Sequence, residues 1–435
     1  MGSPSCVLSA VFIVCWCAAA NAAVKPLDVP SMAVLVEAGE YTVRGRIVKV
    51  ASTVELKIQE RDAVRVAGEE QVLSDAPAQG WGGGTSLQKV LGPVDKGTRL
   101  PNVLDRESVV VYEAQPSNKH FIADKDYKLD RLWGGLSRVD GGAIPKGGKV
   151  FVDYVVYQQR IDVVQVSKAG AASIKKGASA AVCAAVPEPD PGCTAIANIY
   201  INYQTSSIGS GDIYPLPEKP VIWQDYIKTS GRDHLKNTLG LLRSGKPLTV
   251  VCWGDSVTEG GSPSSHDKCY VELLRSRLRA AYPKSHITLI NAGIGGSNTN
   301  SRRDGYEKEV LSHHTDLITV EFVNDIGMGS EEIRKNWTEF IARARQQNPN
   351  VEFILITPHN VMPEWMGNFK SGVDAMRRAA VENRVALADA NNVWMNLGKM
   401  GIPYFSLLAN GINHPDDLGH DIFATSIMQL LHTAE

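Results

Sequence analysis

The chain has 435 residues, long enough for two domains that each bury a core. A net charge of -2 with 21% charged residues excludes an electrostatic nucleic-acid binder, so no nucleic-acid partner is expected. A hydrophobic fraction of 43% is ordinary for a globular protein.

Residues 1–23 read as an export signal. Val7 to Ala20 is an apolar run of h-region length, and Ala20-Asn21-Ala22 supplies small residues for cleavage. One departure is that no Lys or Arg precedes the run. The run is too short to span a bilayer comfortably, and no other stretch approaches a span. The expectation is therefore an exported protein, periplasmic or extracellular, without stable membrane insertion after cleavage. Export permits disulfides, and Cys183 and Cys193 flank a Pro-rich loop that one would close. Cys252 and Cys269 read as buried free thiols. There is no C-x-x-C pair to suggest structural zinc.

Residues 24–205 read as a β-rich N-terminal domain of unknown role, or two small ones. Tyr41 to Val50 and Thr53 to Ile58 alternate apolar and polar, as half-buried strands do. Val150 to Tyr157, Ile161 to Val166 and Ala195 to Tyr203 have the same texture. Gly-rich breaks such as Gly82-Gly83-Gly84 separate them. Residues 206–220 are rich in Ser, Gly and Pro and read as a linker.

From 221 to 435 the period changes. Short apolar strands are expected at 247–253, 286–291, 316–323, 351–357 and 385–389, and helices at 267–281, 331–347, 371–384 and 418–432. Ile333, Trp337, Phe340, Ile341 and Ala344 share one helical face. This alternation implies an α/β fold whose parallel sheet is covered on both faces.

Four stretches carry candidate chemistry. Gly254-Asp255-Ser256 ends the apolar run from Pro247, where open α/β sheets present their reactive groups. Asn291 to Thr299 follows the next strand and contains Gly293, Gly295 and Gly296. Glu321 to Asp325 ends a third strand and holds Asn324. Asn410 to His420 precedes the last helix and holds His414. A serine hydroxyl becomes a useful nucleophile only when a base takes its proton and donors hold the oxyanion.

In this order the four blocks resemble the SGNH (GDSL-type) hydrolase superfamily, over about residues 245–433. The resemblance implies a three-layer, flavodoxin-like parallel sheet. It implies that Ser256 is the nucleophile and His414 the base. It also implies an oxyanion hole of Ser256 N–H, Gly296 N–H and the Asn324 amide. The implied activity is that of an exported serine esterase cleaving small acyl esters, acetyl above all, without metal or organic cofactor. By analogy the substrate is an acetylated carbohydrate or polysaccharide. Two alternatives stand beside it: acyl transfer to a sugar hydroxyl, and an inactive relative that only binds glycan.

The sequence departs from the pattern twice. Phe322 occupies the glycine position of the third block, where it would alter the pocket. The acid expected three residues before the histidine is missing, because Gly411 stands there. Asn410, Asn413 or Asp389 could orient His414 instead, or a backbone carbonyl could assist a Ser-His dyad.

Blander readings hold for the remaining residues. Gly293-Ile-Gly295-Gly296 fails the dinucleotide fingerprint, because Asn298 replaces its third glycine. Adjacent histidines point apart, so His313-His314 reads as a solvated pair rather than a metal site. Asp255 reads as a turn stabiliser and His420 as a first-turn helix residue. His359 either lines the cleft or packs structurally. Trp253, Trp365 and Trp394 are core residues by default and substrate platforms by exception.

Overall fold

The computed structural model describes residues 22–94, 97–115 and 119–432. All of the expected signal but its last two residues lies outside them. Among the described residues no helix is long and apolar enough to cross a membrane.

The C-terminal half is a six-stranded sheet. Its strands are β1 (Lys228–Ser230), β2 (Leu248–Gly254), β3 (Ile287–Gly293), β4 (Leu317–Glu321), β5 (Glu352–Ile356) and β6 (Ala386–Asp389). The order across the sheet is β1-β6-β5-β4-β2-β3. All neighbours are parallel except β1, which joins β6 antiparallel. Without β1 this is the flavodoxin-like order, whose switch point lies beside β2.

Long helices cover both faces: α1 (Lys236–Ser244), α2 (Tyr270–Ala281), α3 (Ser330–Gln347), α4 (Phe369–Glu382) and α5 (Asp417–Leu431). Two apolar clusters follow from that arrangement. Val250 and Cys252 of β2 face α2 and α5 through Leu274, Leu278, Phe423 and Ile427. Val251 and Trp253 face α3 through Trp337, Phe340 and Ile341. Alternate residues of one strand thus enter opposite cores, which is why a parallel central strand must be apolar throughout. The five expected strands and four expected helices all form, with ends moved by a few residues. The pair β1 and α1 was not read from the sequence.

The N-terminal half is strand-rich and antiparallel. One three-stranded sheet holds Ala63–Val72, Lys149–Tyr157 and Leu104–Tyr112. A four-stranded sheet holds Ala172–Lys175, Arg160–Ser167, Cys193–Ile201 and Ile213–Pro215. Each has its own apolar cluster, one around Val111, Val152 and Tyr154 and one around Val34, Val164 and Ile199.

Three expectations are corrected here. Tyr41 to Val50 is a hairpin of Gly39–Val43 and Arg46–Val50, turning at Arg44 and Gly45 with φ of 48 and 79. Within 206–220, read as a linker, Ile213–Pro215 pairs with the strand Cys193–Ile201 and belongs to the sheet. Cys183 and Cys193 are free thiols rather than a disulfide. Cys193 opens a strand paired with Ser167, while Cys183 packs on the other apolar cluster, where burial pushes its thiol up to about 12.

The two halves touch along the loops after β5 and before α5. Asn198 Nδ2 donates to the Gly401 carbonyl at 2.7 Å, and Asn102 Nδ2 to Glu364 Oε1 at 2.6 Å. Trp133 shares an apolar cluster with Met362 and Ile412.

Trp253 is core, not platform. It is 1% exposed, and its ring lies within 4.7–4.8 Å of Tyr306, Phe322 and Phe340. Trp253→Ala should lower unfolding free energy by about 3–5 kcal/mol, read from urea denaturation, because the cavity cannot collapse among rigid rings.

Candidate active site

Three strand ends lie flush. Gly254 of β2 is in register with Gly293 of β3 and Glu321 of β4, so the chain leaves all three strands at one level. The first, second and third sequence blocks therefore emerge side by side. A side chain at 254 is excluded, because a Cβ there would lie 2.0 Å from Thr258 Oγ1 and 2.2 Å from the Glu321 carbonyl oxygen.

After Gly254 the chain turns into a one-turn helix, Ser256–Glu259. Asp255 caps it: Oδ1 accepts from Val257 N at 3.1 Å. The other oxygen, Oδ2, accepts from Asn324 N at 3.0 Å. One buried carboxylate thus ties the serine turn to the third block, beyond the turn-stabilising part expected of it. Burial pushes the Asp255 carboxyl above its ordinary range. Beneath it, burial and the Asp255 charge hold Glu321 well above the carboxylate range, and Thr258 Oγ1 donates to Glu321 Oε2 at 3.2 Å.

His414 reaches Ser256 from the loop before α5. Its Nε2 lies 2.8 Å from Ser256 Oγ. Its other nitrogen, Nδ1, lies 2.9 Å from Ser262 Oγ, a contact no sequence block pointed to. The only cue was the Gly260-Gly261-Ser262 run following the serine turn.

Asn410 organises this loop. Its single Oδ1 accepts from the backbone amides of Ile412, Asn413 and His414 at 2.9–3.0 Å. Asn413 Nδ2 donates to Asn324 Oδ1 at 3.2 Å, so the fourth block is tied to the third. His359 is buried and donates from Nε2 to the Asn413 carbonyl at 2.8 Å. Burial pushes its pKa down to about 3, so it stays neutral and supports the loop rather than lining the cleft.

Asp389 is committed elsewhere. It accepts from Thr357 Oγ1 at 2.8 Å and pairs with Arg377 at 3.0 Å. The structure therefore does not bring it to His414 as an orienter. Gly411, three residues before His414, has a φ of 67. A Cβ there would meet Leu100 Cδ2 at 3.1 Å, so a side chain at 411 would strain the left-handed backbone and press on Leu100.

The second block passes close to the serine. A Cβ on Gly295 would lie 3.8 Å from Ser256 Cβ. Gly296 follows, exposed and left-handed with a φ of 70. Asn324 Nδ2 donates to the Ser297 carbonyl at 2.9 Å, which fixes that amide beside the glycine loop. Ser256, Gly296, Asn324, Asn410 and His414 are thus brought into one constellation. Phe322 does not alter the pocket, as its ring packs edge-on to Trp253 in the core.

Beside Asn324 and Asn413 opens a cavity of about 460 Å³, walled by Val323, Ile326, Val361 and Trp365 with Glu364 and Asn368. Trp365 is 39% exposed, whereas Trp394 is 1% exposed and packs against His359. His313 and His314 are both exposed. Among the described residues no group of three or more His, Cys, Asp or Glu is placed to hold a metal ion.

Residues 252–422 match the family model of the GDSL-like Lipase/Acylhydrolase family. No curated protein matches the chain. Among solved structures, one similar chain is a two-domain esterase active on acetylated mannans, at 22% identity and a TM-score of 0.43. The match covers 50% of this chain and 58% of that one. A variant of Axe2, an acetyl xylan esterase from Geobacillus stearothermophilus, is similar at 19% identity and a TM-score of 0.37, over 43% of this chain and 97% of that one. An α/β hydrolase from the metagenome of Lake Arreo, Spain, is similar at 23% identity and a TM-score of 0.37, over 43% and 97%.

The loop before α5 rests on one oxygen, which generates a test. Asn410→Ala strands three backbone amides and should cost about 1–3 kcal/mol. Asn410→Asp keeps the acceptor and should cost less. Thermal melting of the two variants orders them.

Proposed function

We propose, from the match of residues 252–422 to the model of the GDSL-like Lipase/Acylhydrolase family, that this protein is an exported serine esterase that removes small acyl groups, acetyl foremost, from carbohydrate. One observation carries the reading: Ser256 Oγ lies 2.8 Å from His414 Nε2. Export rests on the apolar run Val7 to Ala20 and the small residues that follow it.

In this mechanism Ser256 Oγ attacks the acyl carbon while its proton passes to His414 Nε2. The carbonyl oxygen becomes an oxyanion, held by the N–H groups of Ser256 and Gly296 and by the Asn324 amide. The intermediate collapses, and the alcohol departs with the proton from His414. Water then attacks the acyl-serine and gives one proton to His414. Collapse releases the carboxylic acid, and that proton returns to Ser256 Oγ. Every proton is accounted for between Ser256, His414, alcohol and water.

The carbohydrate part of the proposal rests on the cavity beside Asn324. A half-exposed indole, Trp365, shares its wall with polar Glu364 and Asn368. Sugar rings offer an apolar C–H face and a polar rim, and an indole with polar neighbours complements both.

The mature protein should hydrolyse p-nitrophenyl acetate, and Ser256→Ala and His414→Ala should fall to background. Asn324→Ala should lower kcat by about 10²–10³-fold, the weight of one oxyanion donor. A Ser256→Ala variant that keeps wild-type turnover would sink the esterase reading. Trp365→Ala should raise KM for an acetylated oligosaccharide while leaving p-nitrophenyl acetate turnover intact. Equal effects on both substrates would remove the indole from sugar recognition.

A further inference from the structure

We propose that Ser262 is the positioning residue of His414, filling with a neutral hydroxyl the place where a carboxylate would otherwise hold the imidazole. The inference rests on the Ser256–His414 esterase reading and adds a residue that the reading does not need to name.

The geometry comes first. His414 Nδ1 is 2.9 Å from Ser262 Oγ while Nε2 is 2.8 Å from Ser256 Oγ. A general base must present an unprotonated Nε2 to the serine, so Nδ1 must carry the proton. An N–H there needs an acceptor, and the Ser262 hydroxyl oxygen is one. The residues that sequence reasoning offered for this part are occupied otherwise. Asn410 Oδ1 accepts from three backbone amides, Asn413 donates to Asn324 Oδ1 and accepts from Asn410 Nδ2, and Asp389 holds Thr357 and Arg377.

The loop that carries Ser262 is built to hold it there. Gly260 N and Gly261 N both donate to the Ser256 carbonyl, at 3.1 and 2.8 Å. Gly261 lies against the imidazole, where a Cβ would come within 2.9 Å of His414 Nδ1 and Cε1. The Gly261 carbonyl accepts from His420 Nε2 at 3.0 Å, and His420 Nδ1 accepts from Tyr270 N at 3.2 Å. Beyond Ser262, Ser264 donates through both N and Oγ to Asp417, at 2.7 and 2.8 Å. Both His420 and Asp417 sit in the first turn of α5. The helix that follows the His414 loop therefore also pins the segment that orients His414.

Ser262 itself adopts a φ of 70, a conformation that non-glycine residues reach only at a cost. Glycine would relieve that strain and remove the hydroxyl at once. This separates the hydroxyl's part in catalysis from any part in folding.

The experiment measures kcat, KM and melting temperature on p-nitrophenyl acetate for wild type, Ser262→Ala, Ser262→Gly and Ser262→Asp. In Ser262→Ala and Ser262→Gly, kcat should fall about tenfold, the weight of one hydrogen bond between neutral groups, with KM unchanged. Ser262→Gly should melt no lower than wild type, so its loss of kcat is not unfolding. Ser262→Asp restores an acceptor that also favours the imidazolium, and its kcat should match or exceed wild type. Full kcat in both Ser262→Ala and Ser262→Gly overturns the role of Ser262 while leaving the esterase intact. A wild type inert on every ester overturns the reading beneath it, and the two failures are told apart by the wild-type rate alone.

Discussion

The site depends on the flush ends of three parallel strands. Gly254 sits between Gly293 and Glu321 in register, and each strand then releases a loop at the same level. A slip by one residue would turn Trp253 and Cys252 to each other's faces and move the serine turn out of level with the neighbouring strand ends. Register is held because alternate residues of β2 fill two different cores, one under α2 and α5 and one under α3. Placement of Ser256 is therefore set by helix packing at some distance from it. Asp255 carries that placement across to Asn324, accepting from Val257 N at 3.1 Å with one oxygen and from Asn324 N at 3.0 Å with the other.

Supports for His414 come from a different direction. Its loop lies over the β-rich half, where Trp133 packs with Met362 and Ile412. Met362 N donates to the Ile412 carbonyl at 2.7 Å, and His359 holds the next carbonyl. Serine is thus fixed by the α/β sheet, and histidine by the sheet together with the N-terminal half. The β-rich half acts as a wall behind the histidine loop. Its part in the site is structural even where none of its atoms touches Ser256.

Much of this was legible in the sequence. Strand and helix positions in the C-terminal half follow from apolar runs and 3.6-residue stripes, which local composition sets. The four blocks were legible because each stands at a strand end or ahead of a helix. Edge strand β1 was not, since Lys228–Ser230 is polar and exposed and pairs only because β6 offers an open edge. Nor was the partner of His414. Ser262 sits 152 positions from His414 and acts through a strained turn, and neither distance nor φ leaves a mark in composition. The expected disulfide failed for a related reason, because loop spacing is silent about which apolar cluster each cysteine joins.

The glycine that stands where an acid is expected before His414 also lies at the contact between the two halves. Position 411 is left-handed and faces Leu100, a residue of the β-rich half. A side chain there would press on Leu100, which is buried in its own apolar cluster, so it is disfavoured both by the backbone and by its neighbour. The contact to His414 Nδ1 comes from the Gly260-Gly261-Ser262 segment, where Gly261 lies close against the imidazole and the serine supplies the oxygen.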